Sequence, residues 1–184
     1  MSSGSRVILI TGISASGKTT LGRELAKRLN IPFISRDDIK ETLFDSLGWE
    51  DREWSKKLGR GAFDLLFYFI ELLLKANVSF MVESNFRPES TPTFLALKEK
   101  YHFDIVQILC KADGNVLFER FKKRAESGER HPGHVDTVNI ESFKESLLSG
   151  HWEPLKIEGK IIEVDTTDFE KVDVEGIANE LKID

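Results

Sequence analysis

Gly12 to Thr19 reads GISASGKT, two glycines separated by four residues and followed at once by a lysine and a threonine. Glycine lets the backbone turn tightly enough for successive N–H groups to point into one hollow, and such a hollow attracts an anion. A helix beginning at the end of the turn adds the partial positive charge of its N-terminus. Lys18 then brings a mobile full charge, and the Thr19 hydroxyl is an oxygen donor of the kind that holds Mg²⁺. The pattern G-x-x-x-x-G-K-[ST] is the phosphate-binding loop, with Gly12, Ser14, Ala15, Ser16, Gly17, Lys18, Thr19 and Thr20 as the expected nucleotide contacts and Thr19 as the metal contact. Ordinary amino-acid frequencies produce the pattern by chance in roughly 0.6% of chains of this length, so accident is a poor explanation.

The motif works only between a strand and a helix. Val7 to Thr11 (VILIT) leads into it as a short β-branched run, and Leu21, Leu25 and Leu29 follow at helical spacing. Four more short runs read as strands: Pro32 to Ser35, Val78 to Glu83, Asp104 to Cys110 and Lys160 to Asp165. They are apolar at nearly every position, as expected of parallel strands covered by helices on both faces. Helices are expected over Lys18 to Leu29, from near Ile39 to Leu47, and over Asp51 to Ala76, Thr93 to Lys100, Asp113 to Ser127, Thr137 to Ser149 and Val174 to Leu181. The second half of the Asp51 to Ala76 helix is apolar nearly all round and should be buried, whereas Arg52, Lys56 and Arg60 form a basic stripe on its first turns. Gly128 to Asp136 has no period and reads as a loop.

At 184 residues the chain is long enough for one domain with a real core. The single cysteine, Cys110, excludes an intrachain disulfide framework and falls in an apolar run, so it is expected in the core. Met1 to Arg6 is small and polar, a flexible lead-in without the apolar stretch of a signal peptide. Leu65 to Leu74 is far short of a membrane span. A cytoplasmic protein that does not use a membrane is therefore expected. The formal charge of −5 argues weakly against a binder of long nucleic acid. From Glu153 onward there are ten acidic and four basic residues, so the acidity belongs to the last strand and helix and the rest of the chain is near neutral.

Among nucleotide-binding classes, a GTPase would carry an NKxD guanine reader. The nearest candidate, Lys111-Ala112-Asp113, has the wrong first residue. Large mechanical ATPases need more chain than this, which leaves a small phosphotransferase. Ile34 to Lys40 (ISRDDIK), Glu83 to Phe86 (ESNF) and Arg120 to Arg124 (RFKKR), in that order after the phosphate loop, resemble the small P-loop kinases of the AAA type. That group includes the 5′-kinase domain of phage polynucleotide kinase, chloramphenicol phosphotransferase and the zeta-toxin-like kinases. The resemblance runs from about Val7 to Asp168. It implies one P-loop kinase domain over residues 1–184, a P-loop NTPase fold of the α/β class, with a five-strand parallel sheet in the order 2-3-1-4-5 and a helical lid over about 113–138. It also implies ATP and Mg²⁺.

The same resemblance makes Asp37 the carboxylate that takes the proton of the acceptor hydroxyl. A carboxylate at the C-terminal end of a strand beside the phosphate loop is also where a base belongs on physical grounds. The alternative is that Asp37 or Asp38 merely caps the next helix, Asp38 being the better placed. Arg120 and Arg124 lie one turn apart with Arg130 beyond them, and the resemblance makes Lys18, Arg120 and Arg124 the groups that offset charge on the transferring phosphoryl. A solvated basic face paired to Glu119 and Glu126 is the plainer alternative. His131 and His134 lack further ligands for a metal and suit a lid or an acceptor site. Ser84, Asn85 and Arg87 fall at the same sheet edge as the phosphate loop, Glu83 is placed to order Mg²⁺ or pair with Lys18, and Asp165 to Asp168 fall where related kinases pass adenine. The reading is ATP-dependent transfer to a hydroxyl of a small-molecule or nucleotide acceptor. A polynucleotide 5′-hydroxyl kinase and a non-catalytic ATP-binding regulatory module are the alternatives; a monomer satisfies the sequence.

Overall fold

The computed structural model describes residues 4–182, so Met1 to Ser3 of the expected lead-in lie outside the described residues. Five parallel strands, β1 (Arg6–Gly12), β2 (Phe33–Ser35), β3 (Phe80–Glu83), β4 (Asp104–Lys111) and β5 (Lys160–Asp165), form one sheet in the order β2-β3-β1-β4-β5. This is the expected P-loop order. The helices are α1 (Lys18–Leu29), α2 (Arg36–Leu47), α3 (Arg52–Lys75), α4 (Thr91–Tyr101), α5 (Gly114–Ser127), α6 (Ile140–Ser149) and α7 (Val174–Leu181).

The alternation of side chains along β1 explains the layering. Val7 and Leu9 point to one face, into a core with Leu66 and Ile70 of α3 and Phe94 of α4. Ile8 and Ile10 point to the other, into a core with Leu21 and Leu25 of α1 and Leu181 of α7. Both faces are covered, so the central strand is apolar from Val7 to Ile10. Cys110 is buried in β4, and burial pushes its thiol up to about 12, which keeps it an inert core group. A third, smaller cluster of Ile13, Leu117, Phe121 and Leu147 packs α5 and α6 against the start of the phosphate loop.

Three expectations are corrected. The chain is already fixed at Ser5 and Arg6: the Ser5 N–H donates to Asn77 Oδ1, the Ser5 carbonyl accepts from Asp104 N, and Arg6 opens β1. The apolar half of α3 is not buried all round. Leu66, Ile70 and Leu74 are sealed in the core, but Leu65, Tyr68, Phe69 and Leu72 stay exposed, because the sheet and its neighbouring helices cover only one side of α3. Residues 128–136 contain the short 3₁₀ turn Pro132–His134, closed by the His131 side chain accepting from Gly133 N. No helix among the described residues is long and apolar enough to cross a membrane.

One residue breaks the buried apolar run of β4. Gln107 lies fully buried in β4, and its amide makes two bonds to one backbone position: Nε2 donates to Leu155 O at 2.9 Å and Oε1 accepts from Leu155 N at 2.7 Å. It thereby pins the segment between α6 and β5, whose Trp152 donates to Thr11 Oγ1 just below the phosphate loop. Replacing Gln107 by leucine leaves two buried backbone groups without partners, each costing about 1–3 kcal/mol. The Gln107→Leu variant is therefore expected to unfold at markedly lower urea concentration, with an unchanged slope; an unaltered midpoint would show that the pairing contributes nothing.

Candidate active site

The phosphate loop leaves β1 at the centre of the sheet, where the neighbouring strands diverge and leave a crevice. Its glycines are required by the backbone. Gly12 has φ +149°, and a Cβ there would fall 2.4 Å from Cys110 O; Gly17 is left-handed at φ +76°. Thr166, following β5, braces the loop from the other side, with Oγ1 at 2.9 Å from Ser16 O. Lys18 opens α1 and is only 6% exposed, with its ammonium donating to Ile13 O at 2.8 Å. Burial lowers its pKa, and the nearby Glu83 carboxylate opposes that fall.

Glu83, at the end of β3, is itself buried, and burial raises its pKa against the pull of Lys18. It accepts from Ser35 Oγ at 2.7 Å and from Thr19 Oγ1 at 3.3 Å. One carboxylate thus ties the ends of β2 and β3 to the start of α1. Thr19 Oγ1 and Glu83 also bring two hard oxygen donors to one point beside the lysine, a donor set that suits Mg²⁺ once phosphate and water complete its shell. Ser16 Oγ is buried without a hydrogen-bond partner, as a cradle shaped for a bound group would leave it. The residues present therefore fit a magnesium nucleotide.

The cleft above the loop has a volume of about 460 Å³ and is lined by Ser14, Ala15, Gly17, Lys18, Thr19 and Thr20, with Asp37, Arg120, Arg124 and Arg130 facing them. Gly12 and Ser16 shape the turn from behind this wall. Arg120 Nη2 donates to Thr167 O at 3.1 Å, while Arg124 and Arg130 approach Asp136 at 3.6 and 3.3 Å. The partners of this basic face are therefore Thr167 and Asp136 in place of Glu119 and Glu126, the pairing of the plainer alternative, because these arginines turn inward toward the cleft.

Asp37 stands in the first turn of α2, which begins at Arg36 with Ser35 at its N-cap. Neither aspartate caps the helix. Asp38 turns outward to Arg23 at 2.7 Å, and Asp37 turns inward to Arg130 Nη2 at 2.6 Å. Burial acts to raise the Asp37 pKa, but Arg130 foremost, with Arg36 and Lys18, outweighs it and holds the carboxyl at about 2. The same Arg130 Nη2 lies 3.0 Å from His134 Nδ1. Arginine can only donate, so Nδ1 is the acceptor and His134 carries its proton on Nε2, which donates to Glu41 Oε1 at 2.9 Å. His134 is 7% exposed, and burial together with the Arg130 charge pushes its pKa down to about 3, so it is neutral at ordinary pH. His131 stacks on Phe44 and meets Asp45 at 3.2 Å. No group of three or more His, Cys, Asp or Glu side chains among the described residues is arranged to hold a metal by itself.

One residue of the cleft and one behind it are absent from the sequence reading as site residues. Phe169 lies against Gly17 and lines the mouth of the cleft. An aromatic directly after the polar run Asp165 to Asp168 was the available signal. Asp136 anchors two arginines and had no signal, being one acid of a loop.

The AAA domain family matches residues 7–148. The chain belongs to the AAA domain family. Over 97% of both chains it is similar to a candidate kinase of Chloroflexus aurantiacus j-10-fl, with 37% identity and a TM-score of 0.87. It is 31% identical over 126 residues to a shikimate kinase of Bradyrhizobium diazoefficiens, covering 67% of this chain and 56% of that protein. The chain thus spans little more than half the length of that relative. It also shares the fold of a gluconokinase of Sinorhizobium meliloti 1021, with 20% identity, coverage of 96% and 88%, and a TM-score of 0.50. The P-loop kinase fold expected from the motif order is the fold observed.

The Arg130 contact yields a prediction. From the ordinary Asp value of 3.8 down to about 2, Asp37 stays ionised in the folded protein, so the pair's contribution to stability is present above pH 3.8 and fades as pH falls toward 2. In Arg130→Ala the Asp37 midpoint rises. The Asp37 carboxyl carbon shift, followed by NMR near pH 4, should be flat in the wild type and titrating in the variant; identical curves would remove Arg130 as the main partner.

Proposed function

We propose that this protein is an ATP-dependent kinase that transfers the γ-phosphate to a hydroxyl of a small-molecule or nucleotide acceptor. The observation that carries the reading is the placement of Asp37, Lys18 and three inward-turned arginines around one cleft. In this reading the backbone of Gly12 to Thr20 cradles the triphosphate and Lys18 offsets charge on its β- and γ-oxygens. Mg²⁺, held through Thr19 and ordered by Glu83, would supply charge neutralisation on those oxygens. Asp37 accepts the proton of the attacking hydroxyl, and the base stacks near Phe169 and Arg120. Residues 113–138 form the lid, bringing Arg120, Arg124 and Arg130 onto the transferring group, where the planar guanidinium donates in pairs to phosphate oxygens.

The shikimate kinase and gluconokinase similarities support a small acceptor. Within the family, the segments at Ile34 to Lys40, Glu83 to Phe86 and Arg120 to Arg124 support a place near the polynucleotide kinase, chloramphenicol phosphotransferase and zeta-toxin-like group. Asp37 and the arginines count against an ATP-binding module without chemistry, which would need neither base nor lid. A cytoplasmic location belongs to the same reading.

The test is ADP release above the acceptor-free rate across shikimate, gluconate, neutral sugars, nucleosides, hydroxylated antibiotics and 5′-hydroxyl oligonucleotides. At least one class is expected to stimulate release, and Arg124→Ala should lower that rate by about 10³-fold or more if Arg124 stabilises the transition state. ATP binding without stimulation by any class would favour the regulatory module; stimulation by oligonucleotides alone, with strong salt dependence, would favour the 5′-end kinase.

A further inference from the structure

Beside the nucleotide cleft lies a second chamber of about 300 Å³, bounded by α2, α3 and the segment after β3. It shares Ser14, Asp37, Asn85, Arg124 and Arg130 with the cleft, so the carboxylate assigned as base faces both spaces. The far wall is cationic. Arg36 and Lys40 come from successive turns of α2, Arg52 and Lys56 from α3, and Arg87 from beyond β3.

The chamber's own carboxylates do not balance this wall. Asp37 and Asp136 are already engaged by Arg130, and Arg124 shares Asp136. Lys56 pairs with Glu53 at 2.6 Å. The other four cations find only neutral partners among the described residues. Arg36 Nη2 donates to Gly59 O at 3.2 Å, while its Nε is buried and unpaired. Lys40 donates to Ser55 Oγ at 2.9 Å. Arg87 lies over the Trp152 ring at 6.0 Å. Arg52 makes no ion pair among the described residues.

The local sequence makes room for this arrangement. At Gly59 a Cβ would stand 3.0 Å from Arg36 Nη2, so glycine allows the guanidinium to lie against α3. Clustered cations with no fixed counter-charge repel one another, and half-buried ones also lose solvation. Lys40 registers this: burial foremost lowers its pKa to about 8, with Arg36 and Arg130 adding to the fall and Asp37 opposing it. A solvated basic face would relax such charges into water; Arg36 and Lys40 are instead held half-buried by backbone and hydroxyl groups.

We propose that this chamber seats an anionic group, a phosphate ester or a carboxylate, carried by the acceptor itself, with the accepting hydroxyl at Asp37. The assignment rests on the kinase reading above for the identity of its occupant. The volume is that of a small metabolite at the lower end of ligand pockets, and the acceptor proposed is accordingly a small anion. Arg36, Lys40 and Arg87 hold the anion, and Asp37, facing both spaces, meets the hydroxyl.

The binding test uses the full chain saturated with Mg²⁺ and a non-hydrolysable ATP analogue, so that the phosphate loop is filled. Inorganic phosphate and acetate are titrated by calorimetry at constant ionic strength. Saturable binding of at least one is expected, and the preferred ion distinguishes a phosphate from a carboxylate. Its affinity should fall roughly ten- to a hundredfold in Arg36→Gln/Lys40→Gln, with analogue affinity retained. Arg87→Gln, at an exposed position whose side chain lies over the Trp152 ring, should weaken it as well and serves if the double variant fails to fold. No saturable binding, or binding indifferent to both variants, overturns the proposal. Turnover of glucose against glucose 6-phosphate and glucuronate separates the two readings. Anion binding without turnover of any acceptor leaves the chamber standing and removes the kinase. Turnover of neutral acceptors as efficiently as their charged counterparts leaves the kinase and overturns the anionic acceptor, and so does preference for an oligonucleotide over a nucleoside 3′-phosphate.

Discussion

The burial of the Lys18 ammonium opposite the buried Glu83 carboxylate is the constraint around which the rest is arranged. Neither charge tolerates removal from water alone. Each is stabilised by the other's field and by short bonds to groups that the fold must deliver: the Ile13 carbonyl for Lys18, and the Ser35 and Thr19 hydroxyls for Glu83. Those groups come from the end of β2, the loop after β1 and the start of α1, and Glu83 itself from the end of β3, so the electrostatics of the cleft depend on the strand order. A parallel sheet provides this because all its strands end on the same side, and the point where successive connections diverge from β1 leaves room for the ligand.

Above this fixed base, the lid face is held by a second set of charges. Arg130 joins Asp37, Asp136 and His134, three groups from two distant stretches of chain, and the neutral His134 passes the connection on to Glu41 of α2. The contact places the guanidinium and the carboxylate a single hydrogen bond apart at the edge of the nucleotide cleft. Phosphate is a stronger attraction for an arginine than one carboxylate, because it offers more charge and paired acceptor oxygens. In the proposed reaction, nucleotide in the cleft would compete with Asp37 for Arg130, and a carboxylate relieved of its arginine is a better proton acceptor.

What could be read from the sequence follows from how locally each feature is encoded. The phosphate loop is one continuous segment with backbone requirements that only glycine meets, and its flanking strand and helix have unambiguous periods; Gly12, Gly17 and Lys18 lie where that pattern puts them. The place of Asp37 at the cleft was legible because it stands two residues beyond a strand end. Its orientation was not, since α2 starts three residues earlier than the apolar spacing from Ile39 indicates, and Ser35 takes the cap position. The Arg130 to Asp37 contact joins residues 93 apart, and no local pattern announces such a pairing. Likewise the Arg52 and Lys56 stripe was visible as a helix face, but only the tertiary structure joins it to Arg36, Lys40 and Arg87 and omits Arg60 from the chamber wall. Gln107 was hidden inside an otherwise apolar strand because its two partners belong to an irregular segment with no period. The exposed apolar side of α3 ran against its composition, since hydrophobicity around a helix reports what it is made of and not how many neighbours cover it.

The central claim is that Asp37 accepts the proton of the attacking hydroxyl in a cleft otherwise assembled by Lys18, Glu83 and the arginines. The most direct measurement is transfer of labelled γ-phosphate from ATP to the acceptor in a single turnover, compared between the wild type and Asp37→Asn with nucleotide saturating in both. The account predicts that transfer slows by about 10² to 10⁴ while nucleotide affinity is retained. Transfer at close to the wild-type rate by a variant that binds nucleotide normally would contradict it.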